Sequence, residues 1–440
     1  MRAIRAIRVE VAFAALILFF AGPHAFADAT TPIASSRTES PRPPKTIRVD
    51  NHDLQRTVDA APPHSAIVCN SNRQRALSAP VIIGKPLTLQ GLNARLPEGL
   101  GNTALLVVEA EGVSITDFDL TGNADTVNQA VRSPLIIVHA GNFRIERGTF
   151  ANSAKDGVMI NGPGAKGGDI VGGVVRDVVG RGVVRDVVSI GGGGAAHKIR
   201  NLLVDNVRAY DSSMRGAVEV SDGTENITVR NVYAERCVYA VDVQDHGKPD
   251  EINANVLIED IRAVDCQHAV RTANHPHGHR NLTIRDVVSE GCAHPLKISN
   301  TNGLTIENAR IAGHPAGAVP VTITRCDNVS IRDIAIANSA HAGPGLLVED
   351  CNEVLIDGVS MPGDASALTS AVTVRVTTAI RGLQIHNVSA RAAKEAGIVL
   401  EKSDGTATLA DAVISNNRAT VNDRIQGPGI SVERNVSSPN

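Results

Sequence analysis

Gly216-Ala217-Val218-Glu219-Val220, Tyr239-Ala240-Val241-Asp242-Val243, His268-Ala269-Val270-Arg271-Thr272 and His294-Pro295-Leu296-Lys297-Ile298 align without gaps. The last three residues of each read apolar, charged, apolar, apart from Thr272 in the last place of its segment, which is strand alternation. The starts lie 23, 29 and 26 residues apart. A period near 25 with a strand in every unit predicts an all-β solenoid of stacked coils. The alignment places Glu219, Asp242, Arg271 and Lys297 in one outward column. Tyr239, His268 and His294 fall in the column beside it.

A second strand recurs in each unit, as in Ile227-Thr228-Val229, Leu282-Thr283-Ile284 and Val329-Ser330-Ile331. Two residues later stands Asp117, Asn231, Asp286, Asn308, Asp333 or Asn387, and once Gly358. These residue types tolerate the left-handed backbone of a sharp corner. Cys237, Cys266 and Cys292 share one repeat position, and Cys326 and Cys351 another. Side chains stacked at the strand spacing of ~4.8 Å sit farther apart than a disulfide prefers. A ladder of buried, reduced thiols is expected, with a strained disulfide between rungs as the alternative. The hexapeptide Val174-Val-Arg-Asp-Val-Val179 recurs at Val183–Val188. One copy is expected in a strand and the other in an insertion.

The ends read differently. Arg2, Arg5 and Arg8 precede the apolar run Val11–Ala21 and the small-x-small site Ala25-Phe26-Ala27. Residues 1–27 are therefore expected to be a signal peptide, with export to the periplasm or beyond after cleavage near Ala27. Residues 28–46 are a Pro/Ser/Thr-rich leader expected to be disordered. Within 47–80, Leu54 and Val58 at i, i+4 after His52 or Asp53 predict a short capping helix. The solenoid is expected over 81–435, with a tail at 436–440. No transmembrane anchor is expected, and a monomer is. Loss of residues 1–27 removes three Arg and one Glu and shifts the formal charge from −3 to −5. That acidity speaks against a nucleic-acid partner.

The coil period, the Asn/Asp corners and the Val-x-Ile strands resemble the right-handed parallel β-helix of the pectin-lyase-like superfamily, across about residues 81–435. The resemblance implies a single-stranded right-handed solenoid. It leaves the activity open, because that fold carries lyases, hydrolases, epimerases and inert surface proteins. Tyr239-Ala240-Val241-Asp242 is similar to the Tyr-Gly-x-Asp-Pro-His element of mannuronan C5-epimerases. Here Val243 replaces the Pro, and the acid-His pair comes later as Asp245-His246.

Charge in the outward column stops after four rungs, and the polar loops Gln244–Asn255 and Ala273–Arg280 flank them. Walls beside a flat face make a groove. An exported polysaccharide lyase, or a related C5-epimerase, on an acidic polysaccharide would need a cation for the uronate carboxylate, a base and an acid. Arg271 suits the carboxylate. Lys297 or His268 suits the base, and Tyr239 or His294 the proton donor. Glu219, Asp242, Gln244 and His246 are candidate substrate contacts, and Glu219 with Asp242 can also offer hard oxygens to calcium. A glycoside hydrolase would use Glu219 and Asp242 as its two carboxyls. A non-catalytic envelope or cell-surface solenoid would use the same column as a solvated salt-bridge ladder. His275-x-His277-x-His279 is a further candidate, for a transition metal.

Overall fold

The computed structural model describes residues 45–435, except 50–52, 71, 163–167, 193–196, 248, 273–277, 363–366, 391–392, 404–405, 424, 426–428 and 434. The expected signal peptide, all but the last residues of the leader, and the tail at 436–440 lie outside the described residues. So do His275 and His277.

Each coil contributes to two parallel sheets, one of 14 strands and one of 18. The 18-stranded sheet bends at a corner within its strands, so a coil has three short faces. The chain is thus the right-handed parallel β-helix expected from sequence, with one short α-helix among the described residues. The register is the predicted one. Glu219 pairs with Asp242, Asp242 with Arg271, and Arg271 with Lys297. Inside, Val188, Val218, Val241, Val270 and Leu296 stack with no exposure. Each such side chain contributes about 1.5–3 kcal/mol on burial. Phe118, Phe143 and Phe150 are the large rings of the core, and they lie in the early coils.

The corners are made by the predicted residues. Asp117, Asn231, Asp286, Asn308, Asp333 and Asn387 all have φ between 52° and 56°. A second corner column runs Asn201, Asn226, Asn255, Asn281, also left-handed. There Asn226, Asn255 and Asn281 each donate from the side-chain amide to the Asn oxygen of the preceding coil, at 3.0, 3.0 and 2.9 Å. Asn255→Val would break two of these bonds and force a β-branched residue into the left-handed region. The expected loss is about 3 kcal/mol, read as a lowered thermal midpoint. An unchanged midpoint would remove the ladder from the account.

Stacking starts before residue 81, because Thr46–Val49 already pairs with Ala66–Cys69. The helix Leu54–Ala60 is capped by Asp53, whose carboxylate accepts from the Gln55 and Arg56 N–H groups. The Gln55 amide accepts from Ile82 N–H at 2.7 Å and donates to Ile82 C=O at 3.1 Å. It thus satisfies part of the open edge of the 14-stranded sheet, where an unpaired strand would invite association. Among the described residues no helix is long and apolar enough to cross a membrane.

The six cysteines are buried and free. Cys237, Cys266 and Cys351 each donate to the carbonyl two residues back, at 3.4, 3.4 and 3.3 Å. The ladder of reduced thiols is therefore the arrangement present. The duplicated hexapeptide holds no insertion. Its first copy lies in the strand Ile170–Arg181, with Asp177 as a left-handed corner. Its second copy crosses to the other sheet and ends on Val188, the first residue of Val188–Gly191. Nine residues is the distance between two faces of one coil.

Candidate functional site

Three neighbouring columns on the outer side of the 14-stranded sheet carry the chemistry. Counted back from the register of Val158, Val188, Val218, Val241, Val270 and Leu296, the first column reads Lys155, Arg185, Arg215, Val238, Gln267, Ala293. The next reads Asp156, Asp186, Gly216, Tyr239, His268, His294. The third, across the strand, reads Met159, Ser189, Glu219, Asp242, Arg271, Lys297. A cleft of about 280 Å³ opens over the first three coils. Lys155, Arg185, Arg215, Glu219, Asp222 and His246 line it.

Glu219 forms the cleft floor and is 3% exposed. One of its oxygens accepts from Arg215 and from the Gln244 amide. The other accepts from Ser189 Oγ at 2.8 Å and Arg185 at 3.4 Å. Gln244 is thus a positioner of Glu219 rather than an exposed group. Asp242 has no exposure, and its Oδ2 pairs with Arg271 at 2.8 Å. The two carboxylates expected to hold calcium are each turned to a guanidinium. That charge is already compensated, so the pair does not fit a calcium ion. Among the described residues no group of three His, Cys, Asp or Glu side chains is set to hold a metal. His279 is 3% exposed inside the strand His279–Glu290, so it does not belong to an exposed histidine loop.

Tyr239 is fully buried. Its ring carries Arg271 stacked 4.7 Å above its centre. Its hydroxyl crosses the coil of Gly216 and donates to Asp186 Oδ1 at 2.7 Å. A Cβ on Gly216 would strike both the backbone oxygen and the ring of Tyr239. His268 is nearly buried, its Nδ1 lies 3.0 Å from His294 C=O, and the two rings stack at 5.3 Å. Burial, then the Arg271 charge, lowers its pKa to about 4, so it is neutral at pH 7. Burial and Lys297 also lower the pKa of His294. Lys297 is exposed, and among the described residues no carboxylate lies within ion-pair distance of it. His246 Nδ1 lies 2.5 Å from Asp222 Oδ1 at the cleft rim.

The sequence reading did not include Lys155, Asp156, Arg185, Asp186 or Arg215. They precede strands, in stretches that resemble solvated turns. The available signal was the basic-acidic pair Lys155-Asp156, repeated as Arg185-Asp186 one coil later. Asp156 and Asp186 have no exposure. Asp156 Oδ1 accepts from the Asp186 N–H at 3.3 Å, and its Oδ2 has no hydrogen-bond partner. Arg185 Nε lies 3.5 Å from Asp156, and Arg215 Nη1 lies 3.5 Å from Asp186. Burial, then the neighbouring Asp156 charge, pushes Asp186 up to about 7. Burial also raises Asp156. Burial lowers the pKa of Lys155; Asp156 opposes this, and Arg185, Arg132 and Arg215 add to it. Its amine approaches Met159 Sδ at 3.5 Å and has no carboxylate partner among the described residues.

A family model described as a right-handed β-helix region matches residues 268–437. No protein of curated function matches the chain by sequence. Among solved structures, tailspike protein 3 of bacteriophage CBA120 is similar at a TM-score of 0.55 and 10% identity, covering 82% of this chain and 58% of that one. Gene product 12 of bacteriophage phi29 is similar at 0.53 and 13%, covering 86% and 53%. The chain therefore spans little more than half the length of either phage protein. The A-module of an Azotobacter vinelandii mannuronan C-5 epimerase reaches 0.49 and 15%, covering 84% and 91%. At these identities the likeness is one of fold.

Proposed function

We propose that this chain, a right-handed parallel β-helix protein of the pectin-lyase-like type, acts on an anionic polysaccharide by removing the C5 proton of a uronate in the cleft beside Lys155. The observation that carries this reading is the layering of charge. Every carboxylate of the central columns is buried, while its arginine is the outer partner. Glu219 lies at 3% exposure under Arg185 and Arg215, whose side chains are 16% and 25% exposed. Asp242 lies at 0% under Arg271, at 29%. Lys297 adds an exposed ammonium group at one end, with no carboxylate partner among the described residues. What faces solvent is cationic although the chain is acidic, and a fixed cationic strip attracts a polyanion.

The cleft groups suit the chemistry. Arg185 and Arg215 present guanidinium forks to a carboxylate, and Glu219 holds both forks in place. Neutralising that carboxylate favours removal of the adjacent C5 proton. We assign Lys155, whose pKa burial lowers, as the base in its neutral form. We assign His246, held by Asp222, to return a proton. Delivered to the O4 leaving group it completes elimination, and delivered to C5 from the other face it completes epimerisation. Arg271, Lys297 and His294 lie four to five coils from Lys155, at ~4.8 Å per coil, too far for the same sugar. We assign them, with His268 behind them, to holding other residues of the same polyanion. Tyr239 and Asp242 support that strip from below. A hydrolase needs a protonated carboxyl facing the glycosidic oxygen. The carboxyl here that is raised to about 7, Asp186, is sealed under Tyr239. With residues 1–27 read as a signal peptide, we propose that this activity lies outside the cytoplasm, in the periplasm or beyond.

Incubation with alginate, polygalacturonate and glycosaminoglycans, followed by ultraviolet absorbance for an unsaturated uronate and by deuterium uptake at C5, tests the reading. Lys155→Met should reduce turnover at least ~100-fold, the usual share of a general base, with binding kept within severalfold. Silence in both assays across the panel would reject the chemistry and leave a non-catalytic solenoid.

A further inference from the structure

We infer that Asp156 and Asp186 form a buried one-proton pair, linked to Tyr239 through the gap at Gly216, and that this pair positions Arg185 and Arg215 and sets the pH range over which the cleft accepts a polyanion. Neither carboxylate touches substrate, so both are positioning residues. The affinity half of this inference rests on the acidic-glycan reading above; the shared proton does not.

The geometry is specific. Two unexposed carboxyls occupy adjacent rungs of one column. Two adjacent buried carboxylates cannot both ionise cheaply, so one proton stays with the pair. Tyr239 reaches across the one rung that has no side chain to donate to Asp186 Oδ1. Gly216 N–H points to the same oxygen at 3.4 Å. The other oxygen, Oδ2, faces Arg215 at 3.5 Å and Arg185 at 3.9 Å. The charged and titratable groups around the pair are Lys155, Arg185, Arg215, Glu219, Tyr239, Asp242 and Arg271. Arg185 and Arg215 are shared between the pair below and Glu219 in the floor. Loss of the last proton adds a negative charge directly beneath them. The arginines are then drawn inward and the cleft becomes less cationic.

The sign follows. Asp186, raised to about 7, is protonated below that pH and the cleft is at its most cationic there. As pH rises through 7 the pair becomes doubly charged, and affinity for a polyanion falls. One added charge a few ångströms beneath the site is expected to weaken binding about tenfold between pH 6 and 8.

Infrared difference spectra between pH 5 and 9 test the pair without any ligand. The wild type should lose one protonated-carboxyl band with a midpoint near 7, and Asp186→Asn should lack it. Asp156→Asn removes the like charge and should lower the midpoint. Tyr239→Phe removes a donor to the ionised form and should raise it. A missing band, or a midpoint unmoved by Asp156→Asn, overturns the pair. Binding of polygalacturonate is then compared in a His246→Gln background, so that the imidazole does not titrate. The expected weakening at pH 8 should vanish in Asp186→Asn, whose thermal midpoint reports its folding. Weakening that persists in Asp186→Asn overturns the affinity half. Absence of binding at either pH rejects the acidic-glycan reading, and the infrared result then decides the pair by itself.

Discussion

Gly216→Val is expected to be the most damaging single substitution in the strip, lowering stability by about 4 kcal/mol or more, as overpacking against backbone does at its upper end. The cause lies one coil away. Any Cβ at this position meets the carbonyl oxygen of Tyr239 and the edge of its ring. The carbonyl belongs to a paired strand and cannot move without breaking the ladder. The ring cannot move without leaving Asp186, whose bond to the Tyr239 hydroxyl is 2.7 Å. The substitution would also displace Arg271 from the ring face, and with it the partner of the buried Asp242. Chemical denaturation should show a lower midpoint with an unchanged slope. Gly216→Val at wild-type stability would mean that the coil accommodates a side chain there, and that Tyr239 is not confined to this path.

Glu219→Ala is expected to cost about 3 kcal/mol and to abolish polyanion turnover. Breaking a buried ion pair by removing one partner costs about 3–5 kcal/mol, and the partial exposure of both arginines places this case at the low end. Four donors lose their acceptor together: Arg185, Arg215, Ser189 and Gln244. Two of them are the forks assigned to the uronate carboxylate. Without Glu219 they are expected to turn toward Asp186, which both already approach. Glu219→Gln keeps the shape and part of the bonding, so it should recover most of the stability and little of the turnover. Equal turnover in Glu219→Gln and the wild type would remove charge from the role of Glu219.

The fold was legible because a β-helix repeats its decision in every coil. One-residue register shifts would exchange core and surface, so the Val218, Val241, Val270 and Leu296 positions align without ambiguity, and the Glu219–Lys297 column follows from them. The corners were legible for a similar reason: Asn231 and Asp286 satisfy a backbone requirement that few residue types meet. The burial of that column was not legible. Alternation says that Glu219 and Asp242 point away from the core; it does not say that arginines from the preceding turn and the neighbouring coil cover them. The turn residues Lys155, Arg185 and Arg215 escaped notice because turns carry charge everywhere along a solenoid. Only their placement one above another distinguishes these three. The duplicated Val-Val-Arg-Asp-Val-Val segment pointed to Arg185 and Asp186, but a nine-residue shift read as an insertion concealed that its copies serve two different faces of one coil. Tyr239 was found from its column, whereas its path across Gly216 requires coordinates.

The claim that the cationic strip recognises uronate charge is tested most directly by calorimetric titration of the protein with each polyuronate and with its carboxyl-reduced counterpart, which keeps the backbone and removes the anions. Binding of the acid form alone, weakened by added salt, is predicted. Equal affinity for the acid and reduced forms would contradict it.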